Sequence, residues 1–443
     1  MNEHSAESLA KIRAQFDDLP YPNVPLDVFP RQDYNLLFKH SMLAPYYLKH
    51  RQIVDTQGKI ILDAGCGSGF KALLLAEANP GARIVGVDLS EESVKLARQR
   101  LQYHGFENCE FHAVLIEDLP NLGLEFDYIN CDEVLYLLLD PVEGLRVMKS
   151  VLKPGGILRT NLHNALQRAP YYRAQALFGM MGLMDQSPGE MEIDLVVETM
   201  QTLKETTNLR ATAWNPVWER PENRGEMLAN HLLVGDKGFT TLDLFELLDA
   251  TDLEFISMVN WRHWDPADLF KDPNNLPAFW GMSLEAASLP ERLRIYELLN
   301  PTSRLLDWWC TLPGQADGIA SDQWTDDDWL QVKAILHPQL CHDQSKQDLL
   351  ECIELGQPFE ISRYFDLPAL APVMLESAIA ACLLPLWEGP QPVSVLSDRF
   401  RTIHPVHAAT LTPRAAADAF KQVKQLLGRL EVFLYVMLER SGR

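Results

Sequence analysis

Residues 59–70, KIILDAGCGSGF, decide the fold of this chain. The apolar run that ends at Asp63 predicts a short buried strand, and the apolar pattern of residues 71–78 predicts a helix. Three alternating glycines join the two elements, and glycine lets the backbone turn sharply and approach a bound ligand closely. A dinucleotide-binding fingerprint needs its third glycine at position 70, where this chain has Phe70. The stretch therefore predicts a ligand-binding turn of another kind, with an acid two residues before its first glycine.

The alternation of strand and helix continues beyond this stretch. Short apolar segments recur at intervals that leave room for one helix between each pair. Strands separated in this way form a parallel sheet with right-handed crossovers, so the predicted fold is α/β. The predicted strands are residues 59–63, 83–88, 110–114, 126–131, 156–162 and 253–259.

Breaks in the alternation predict the division of the chain. Residues 1–50 are predicted to form a helical lead-in, with one helix near residues 12–16 and another over residues 33–49, and residues 51–262 are predicted to form the sheet domain. About residues 164–235 lack strand signals and are interpreted as a helical lid inserted into that domain. Residues 263–443 are rich in tryptophan and are predicted to form a mainly helical C-terminal domain. A length of 443 residues suits such a division.

Composition narrows the class of protein. With 61 acidic and 39 basic residues the formal charge is −22, which disfavours a nucleic acid partner. No apolar run is long enough to span a bilayer, and no signal peptide is visible at the N-terminus. Seven irregularly spaced cysteines predict reduced thiols and a cytoplasmic location. His337 and Cys341 are separated by Pro338 and lack a second pair, so no metal site is predicted.

Five segments in sequence order resemble the class I S-adenosylmethionine-dependent methyltransferases. The glycine turn matches the first motif of that family, Asp88 matches the acid that binds the ribose hydroxyls, and residues 116–119 match the loop near the adenine. Residues 130–136 match the segment beside the methyl group, and residues 152–156 match the turn before the fifth strand. The resemblance implies a Rossmann-like seven-stranded sheet, with S-adenosyl-L-methionine as cofactor and S-adenosyl-L-homocysteine as product.

The resemblance gives a set of expected cofactor-binding residues. It also implies that the lead-in covers the cofactor, which adds a residue of the lead-in to this set. Carboxylates at strand ends can accept hydrogen bonds from a ribose diol, and ligands of open parallel sheets bind at the carboxyl ends of the strands. The expected residues are Tyr21, Asp63, Gly65, Cys66, Gly67, Gly69, Asp88, Leu89, Ile116, Glu117, Asp118, Asn130 and Cys131.

Three residues are candidates for a catalytic role in methyl transfer. The reaction is an in-line displacement at carbon, so the enzyme mainly aligns the reacting atoms and needs a base only for a protonated acceptor. His163 at the end of the fifth strand is the first candidate, followed by Glu133 and Tyr136 after the fourth. Each can instead be an ordinary polar residue on the rim of the sheet. Tyrosines and methionines of the insertion, at positions 171, 172, 180 and 181, are candidates for the acceptor pocket.

The segment after the fourth strand bears on the acceptor. Members of the family that methylate amino groups of bases carry an Asn/Asp-Pro-Pro-aromatic tetrapeptide, whereas residues 130–133 read NCDE. The resemblance therefore favours a small-molecule acceptor. Two alternatives stay open: a protein methyltransferase that recognises its substrate through the C-terminal domain, and a non-catalytic S-adenosylmethionine-binding sensor or scaffold.

Overall fold

A computed structural model of the chain describes residues 13, 14, 17, 20–31, 33–315, 318–407 and 409–440. The first helix of the predicted lead-in, near residues 12–16, lies largely outside the described residues. Where one long helix is predicted for residues 33–49, there are two, Tyr34–His40 and Leu43–His50, separated at Ser41 and Met42.

The strands form one large sheet and two small ones. Their bounds are β1 Ile60–Ala64, β2 Arg83–Asp88, β3 Cys109–Ala113, β4 Phe126–Cys131, β5 Leu152–Asn164, β6 Gly238–Phe239, β7 Glu254–Met258, β8 Leu305–Thr311, β9 Val332–Leu336, β10 Phe359–Glu360, β11 Met374–Leu375, β12 Gln391–Pro392 and β13 Val436–Arg440.

The large sheet has the predicted α/β character. Its seven principal strands run in the order β3-β2-β1-β4-β5-β8-β7, and the two-residue β6 pairs with the end of β5. The first five of these strands are parallel neighbours, whereas β8 runs antiparallel to both β5 and β7. The carboxyl ends of β1, β2, β4 and β5 therefore meet along one edge of the sheet.

The α-helices connect these strands and build the remainder of the chain. Their bounds are Tyr34–His40, Leu43–His50, Phe70–Ala78, Glu91–Tyr103, Pro141–Ser150, Ala169–Met180, Glu190–Thr202, Asn208–Ala213, Arg224–His231, Thr241–Thr251, Ala278–Ala286, Leu289–Leu299, Asp326–Leu330, Asp343–Leu355, Ser377–Ala380, Val393–Ile403 and Ala416–Glu431.

The insertion after β5 is helical, as its sequence predicts. Four helices between residues 169 and 231 share a hydrophobic cluster of their own, built around Phe178, Val196, Trp218 and Met227. Buried apolar side chains of this kind each contribute about 1.5–3 kcal/mol relative to exposure. The insertion is thus a small packed body and does not depend on the sheet for its core.

Contacts divide the chain into two compact units. The first contains the described residues up to Phe29, Thr56–Val259 and Trp264–Pro313, and the second contains Pro30–Asp55, Asn260–His263 and Gly314–Arg443. This division differs from the predicted boundaries in two places. The lead-in is shared between the units, and the first unit extends about fifty residues beyond residue 262.

The second difference has a specific cause. Residues 305–311, LLDWWCT, form strand β8 and insert between β5 and β7, with Trp308 and Trp309 fully buried. An apolar run without alternation is ambiguous between a buried helix and a buried strand, so the pattern of this segment does not reveal the strand. This segment is therefore a strand of the large sheet within a region that is predicted to be mainly helical.

The second unit has a core of its own. Helices surround the antiparallel sheet β12-β9-β13, and Tyr47 donates a hydrogen bond to Oε1 of buried Glu431 over 2.5 Å. No helix within residues 20–31, 33–315, 318–407 and 409–440 combines the length and apolar character needed to cross a bilayer.

Candidate functional site

The glycine turn after β1 folds over the end of β2. The backbone N–H groups of Gly65 and Cys66 donate to the carbonyl oxygen of Val87 over 2.8 and 2.9 Å. The N–H of Gly67 donates to Oδ2 of Asp88 over 2.9 Å, and the N–H of Ser90 donates to Oδ1 over the same distance. These bonds fix the Asp88 carboxylate beside the turn. Burial nevertheless raises the pKa of Asp88 above its ordinary value, against the opposing effect of its backbone hydrogen bonds.

Residues 20–25, which precede the helix Tyr34–His40, cover the turn from outside. The N–H of Ser68 donates to the carbonyl oxygen of Tyr21 over 2.9 Å, and the Ser68 hydroxyl donates to the carbonyl oxygen of Pro22 over 2.7 Å. The buried guanidinium of Arg100 donates to the carbonyl oxygens of Ser68, Val24 and Pro25. A Cβ at Gly67, where φ is +50°, would lie 2.1 Å from the carbonyl oxygen of Tyr21. Glycine is required there for the segment and the turn to meet.

The turn forms one wall of a cavity of about 670 Å³. Such a volume is typical of small-molecule sites. The opposite wall comes from the helical insertion, including Ile193, Leu228 and Leu233. The cavity thus lies where the sheet presents its carboxyl edge and the insertion overhangs it.

Beneath the cavity, polar side chains form a row across four strands. Register places Asp63, Asn130 and Arg159 side by side on β1, β4 and β5. Asn130 Nδ2 donates to Asp63 Oδ1 over 2.8 Å, and Arg159 Nη1 donates to Asn130 Oδ1 over 2.8 Å. Arg159 also pairs with both carboxylate oxygens of Asp307 on β8, at 3.0 and 2.8 Å. All four residues are buried.

Asp63 stands out in this row. Its Oδ2 is buried and has no hydrogen-bond partner among the described residues. Burial raises the pKa of Asp63 to about 7, although the hydrogen bond from Asn130 acts in the opposite direction. A buried carboxylate oxygen without a partner is costly unless a ligand supplies one.

The far end of the cavity holds alternating charges. Lys71 Nζ lies 2.7 Å from Asp132 Oδ2, and Arg304 Nη2 lies 2.6 Å from Glu133 Oε1. Glu133 has a φ of +65°, an unusual backbone conformation for a residue other than glycine, and its N–H donates to Asn161 Oδ1. Burial opposes the charge on Glu133, but Arg304 and Lys71 outweigh it and lower the pKa of this carboxyl. Glu133 is therefore an ion-paired carboxylate and a weak base.

His163 lies at the end of β5 in contact with this cluster. Its ring is stacked on Tyr136 with the centroids 3.7 Å apart. Nδ1 is 2.6 Å from Asp236 Oδ1, and Nε2 is 3.2 Å from Arg304 Nη1. A guanidinium has no acceptor, so Nε2 must carry the lone pair and Nδ1 the proton. Burial lowers the pKa of His163, which keeps the imidazole neutral near pH 7.

Most of the predicted site residues lie on the cavity surface. This is true of all three catalytic candidates, His163, Glu133 and Tyr136. The predicted cofactor-binding residues on this surface are Tyr21, Gly65, Cys66, Gly67, Asp88, Leu89, Ile116 and Glu117.

The other predicted residues do not line the cavity. Asp63 and Asn130 lie in the buried row beneath it, and Cys131 packs in the hydrophobic core of the sheet. Gly69, with φ +81°, precedes the helix Phe70–Ala78 and packs against Ala97. Asp118 is exposed to solvent, and its neighbour Glu117 is the acid that faces the cavity.

The four aromatic and methionine side chains proposed for the acceptor pocket also lie elsewhere. Tyr171 and Tyr172 pack against Arg168, while Met180 and Met181 are exposed by 88% and 57%. None of the four lines the cavity. Helical periodicity alone does not distinguish which face of an inserted helix looks toward a ligand.

Sequence reasoning missed several residues of the site. Lys71 and Asp132 stand directly beside predicted motifs, so their position was a usable signal. Arg159 meets Asn130 through the pairing of β4 with β5, whereas Asp236 and Arg304 approach the motifs only through the pairing of β5 with β6 and β8. No pattern around those three residues indicates a site.

Comparison with known families accords with this geometry. A family model described as a methyltransferase domain matches residues 55–214, which include the glycine turn, Asp88, the segment after β4 and the end of β5. The chain carries a class I S-adenosylmethionine-dependent methyltransferase domain. S-adenosyl-L-methionine is accordingly its cofactor.

Individual relatives of the methyltransferase domain are distant. An uncharacterized protein of Synechococcus sp. is 28% identical over 294 residues, covering 66% of this chain and 68% of that protein. A ubiquinone biosynthesis O-methyltransferase of Bordetella avium is 29% identical over 193 residues, covering 41% of this chain and 76% of that enzyme. The solved structure of PKMT2 from Rickettsia typhi in complex with AdoHcy has a TM-score of 0.58 at 16% identity, covering 95% of this chain and 78% of that one. At this identity the likeness is one of fold.

The residues of the methyltransferase domain fit such a cofactor. Gly65 and Gly67 of the glycine turn line the cavity, Asp88 presents a fixed carboxylate for a diol, and Asp63 has a buried oxygen without a partner among the described residues. A zwitterionic amino acid end supplies an ammonium group that suits that oxygen.

Proposed function

We propose that this methyltransferase transfers a methyl group to a small-molecule acceptor by in-line displacement inside the cavity. The observation that supports this most is the enclosure of the cofactor turn and the charged cluster of His163, Glu133 and Arg304 by one set of walls. A cavity of about 670 Å³ suits a cofactor together with a compact second ligand.

The cofactor half of the proposal rests on Asp88 and Asp63. Bound S-adenosyl-L-methionine supplies an electrophilic methyl group on a sulfonium centre, with S-adenosyl-L-homocysteine as the product. Asp88 would bind the ribose hydroxyls, and Glu117 lies on the same wall. Asp63 Oδ2 would accept a hydrogen bond from the ammonium group. These contacts fix the direction along which the methyl group can be approached.

The acceptor half rests on the residues beyond the methyl position. The insertion contributes apolar surface through Ile193, Leu228 and Leu233, which would exclude water from the reacting atoms. His163 is the neutral imidazole at this end, held in one tautomer by Asp236. It is therefore the best placed group to receive a proton from an acceptor that arrives protonated.

A labelling experiment tests the proposal. The purified protein is incubated with S-adenosyl-L-methionine labelled in its methyl group, together with a cell extract separated into molecules below and above a size cut-off. We expect label in the small-molecule fraction, and much less label with Asp88→Ala, which weakens cofactor binding. Label confined to the protein fraction would instead support the alternative of a protein methyltransferase. Tight cofactor binding without transfer to either fraction would support a sensor or scaffold.

A further inference from the structure

Arg304 joins the two candidate catalytic groups at the acceptor end of the cavity. It immediately precedes β8, and its guanidinium donates from Nη2 to Glu133 Oε1 and from Nη1 to His163 Nε2. The side chain is 44% exposed, and its remaining N–H groups have no hydrogen-bond partner among the described residues. A guanidinium has five donors, so three are available to a ligand.

Other cavity-side cations are more fully committed. Arg159 is completely buried in the row beneath the cavity, and Lys71 is held by Asp132. Arg224 on the insertion is paired with Glu190 and Asp194. Arg304 thus combines exposure to the cavity with unused donors beside the histidine.

The contact between Arg304 and His163 blocks the only nitrogen that can receive a proton. Nδ1 already carries the proton that it donates to Asp236, and Nε2 faces the guanidinium. The charged and titratable groups around the ring are Asp236, Arg168, Arg304 and the stacked Tyr136, with Glu133 behind Arg304. A ligand atom that replaces His163 as the acceptor for Arg304 would release Nε2.

We propose that Arg304 determines acceptor specificity by binding an acidic hydroxyl of a phenol or enol, which thereby releases Nε2 of His163 to take the hydroxyl proton. This inference rests on the proposed function. An oxygen presents lone pairs to the guanidinium, whereas a protonated amine has only donors and a like charge, so the site selects against amines.

The step balances in atoms and electrons. The hydroxyl proton passes to His163 Nε2, and an oxygen lone pair forms the new bond to the methyl carbon. The pair of electrons of the broken carbon–sulfur bond stays on sulfur, which becomes a neutral thioether. The imidazolium then returns its proton to water when the products leave. Asp236 stabilises the transient imidazolium through Nδ1.

Binding of 4-nitrophenol in the presence of S-adenosyl-L-homocysteine tests this role, because its absorbance distinguishes phenol from phenolate. We expect the wild-type protein to bind it at least about tenfold more tightly than 4-nitroanisole, which lacks the hydroxyl. Arg304→Gln should weaken the binding of 4-nitrophenol at least about tenfold and leave the binding of 4-nitroanisole unchanged. The affinity of Arg304→Lys for 4-nitrophenol should lie between those of wild type and Arg304→Gln. Arg292→Gln is the matched control, because Arg292 pairs with Asp265 and does not line the cavity.

Two further measurements separate this role from a structural one. Calorimetry should give the same affinity for S-adenosyl-L-homocysteine in Arg304→Gln and wild type. The pKa of His163, followed by imidazole nitrogen shifts and assigned with His163→Asn, should rise in Arg304→Gln because a nearby positive charge is removed.

Equal binding of 4-nitrophenol by wild type and Arg304→Gln would overturn the inference. It would also be overturned if the wild-type protein bound 4-nitrophenol no more tightly than 4-nitroanisole. Loss of S-adenosyl-L-homocysteine binding in Arg304→Gln would assign the residue a structural role and would also overturn it. The proposed function fails separately, if no small molecule is methylated while these binding results hold.

Discussion

Asn130 donates a hydrogen bond to Oδ1 of Asp63 over 2.8 Å, and Oδ2 of the same carboxylate has no partner among the described residues. The two oxygens thus have different roles. One anchors the side chain to the neighbouring strand, and the other lies unpaired beneath the cavity, where we propose that it accepts a hydrogen bond from the cofactor's ammonium group. Arg159 fixes the Asn130 amide in the orientation that this division requires. The acid of the first motif is therefore positioned by residues that no local sequence pattern connects with it.

Asp63 predicts a pH dependence of cofactor binding. Burial raises its pKa from 3.8 to about 7, so the carboxyl is largely protonated in the free protein below that pH. An ammonium group favours the carboxylate, so binding at about pH 6 should release a proton and affinity should increase up to about pH 7. Calorimetry in buffers of different ionisation enthalpy measures this release. Asp63→Asn should abolish it, and an unchanged release in that variant would show that another group titrates.

The raised pKa of Asp63 also affects the folding stability of the protein in the absence of ligand. Between the ordinary and the raised pKa, the folded protein holds a proton on Asp63 that the unfolded chain has lost. The contribution of Asp63 to the free energy of unfolding is therefore present at low pH, decreases as pH rises from about 4 to about 7, and is constant above. Urea unfolding of wild type and Asp63→Asn across this window should show the difference between them growing with pH.

Asp88 and Asp118 offer a direct comparison of two acids predicted from the sequence. Asp88 lines the cavity and fixes the glycine turn through the N–H of Gly67, whereas Asp118 is exposed and does not line the cavity. Asp88→Ala should weaken the binding of S-adenosyl-L-homocysteine by about 1.5–3 kcal/mol, a loss typical of a missing charge-assisted hydrogen bond. Asp118→Ala should leave the affinity within a factor of about two. Equal losses in both variants, measured by calorimetry, would contradict the arrangement of the cavity.

Gly67 predicts a steric effect that can be separated from backbone strain. A Cβ at this position would lie 2.1 Å from the carbonyl oxygen of Tyr21, while the exposed Gly123 has a similar φ of +62° and open space around it. Gly67→Ala should cost about 1–3 kcal/mol of stability and reduce cofactor affinity, since residues 20–25 must move away from the turn. Gly123→Ala should cost about 1 kcal/mol and leave affinity unchanged. Urea unfolding and calorimetry measure the two effects, and equal affinities would show that the covering segment does not shape the site.

The sequence was informative where one local segment determines the structure. The glycine turn, the end of β2 at Asp88 and the helix after Ser90 were predictable because strand, turn and cap are adjacent in the chain. Arg304 and Asp236 were not, because they approach His163 only through the pairing of β8 and β6 with β5. Strand β8 itself was missed, since an uninterrupted apolar run has no period that distinguishes a strand from a buried helix.

The buried pair of Arg159 and Asp307 predicts how strongly β8 belongs to the sheet. The guanidinium is fully buried and donates to both oxygens of Asp307, which is the contact of β8 with the polar row. Asp307→Asn keeps the shape but removes the bidentate partner of Arg159, so that only Asp132, 3.4 Å from Nη2, balances the buried charge. The free energy of unfolding should therefore decrease by about 1.5–3 kcal/mol, typical of lost hydrogen bonds to a charged group. Glu143→Gln, the control, removes the exposed ion pair with Arg146 and should change the free energy of unfolding by at most about 0.5 kcal/mol. Urea unfolding of the two variants measures this difference, and a loss in Asp307→Asn no larger than in the control would mean that β8 is held by its apolar side chains alone.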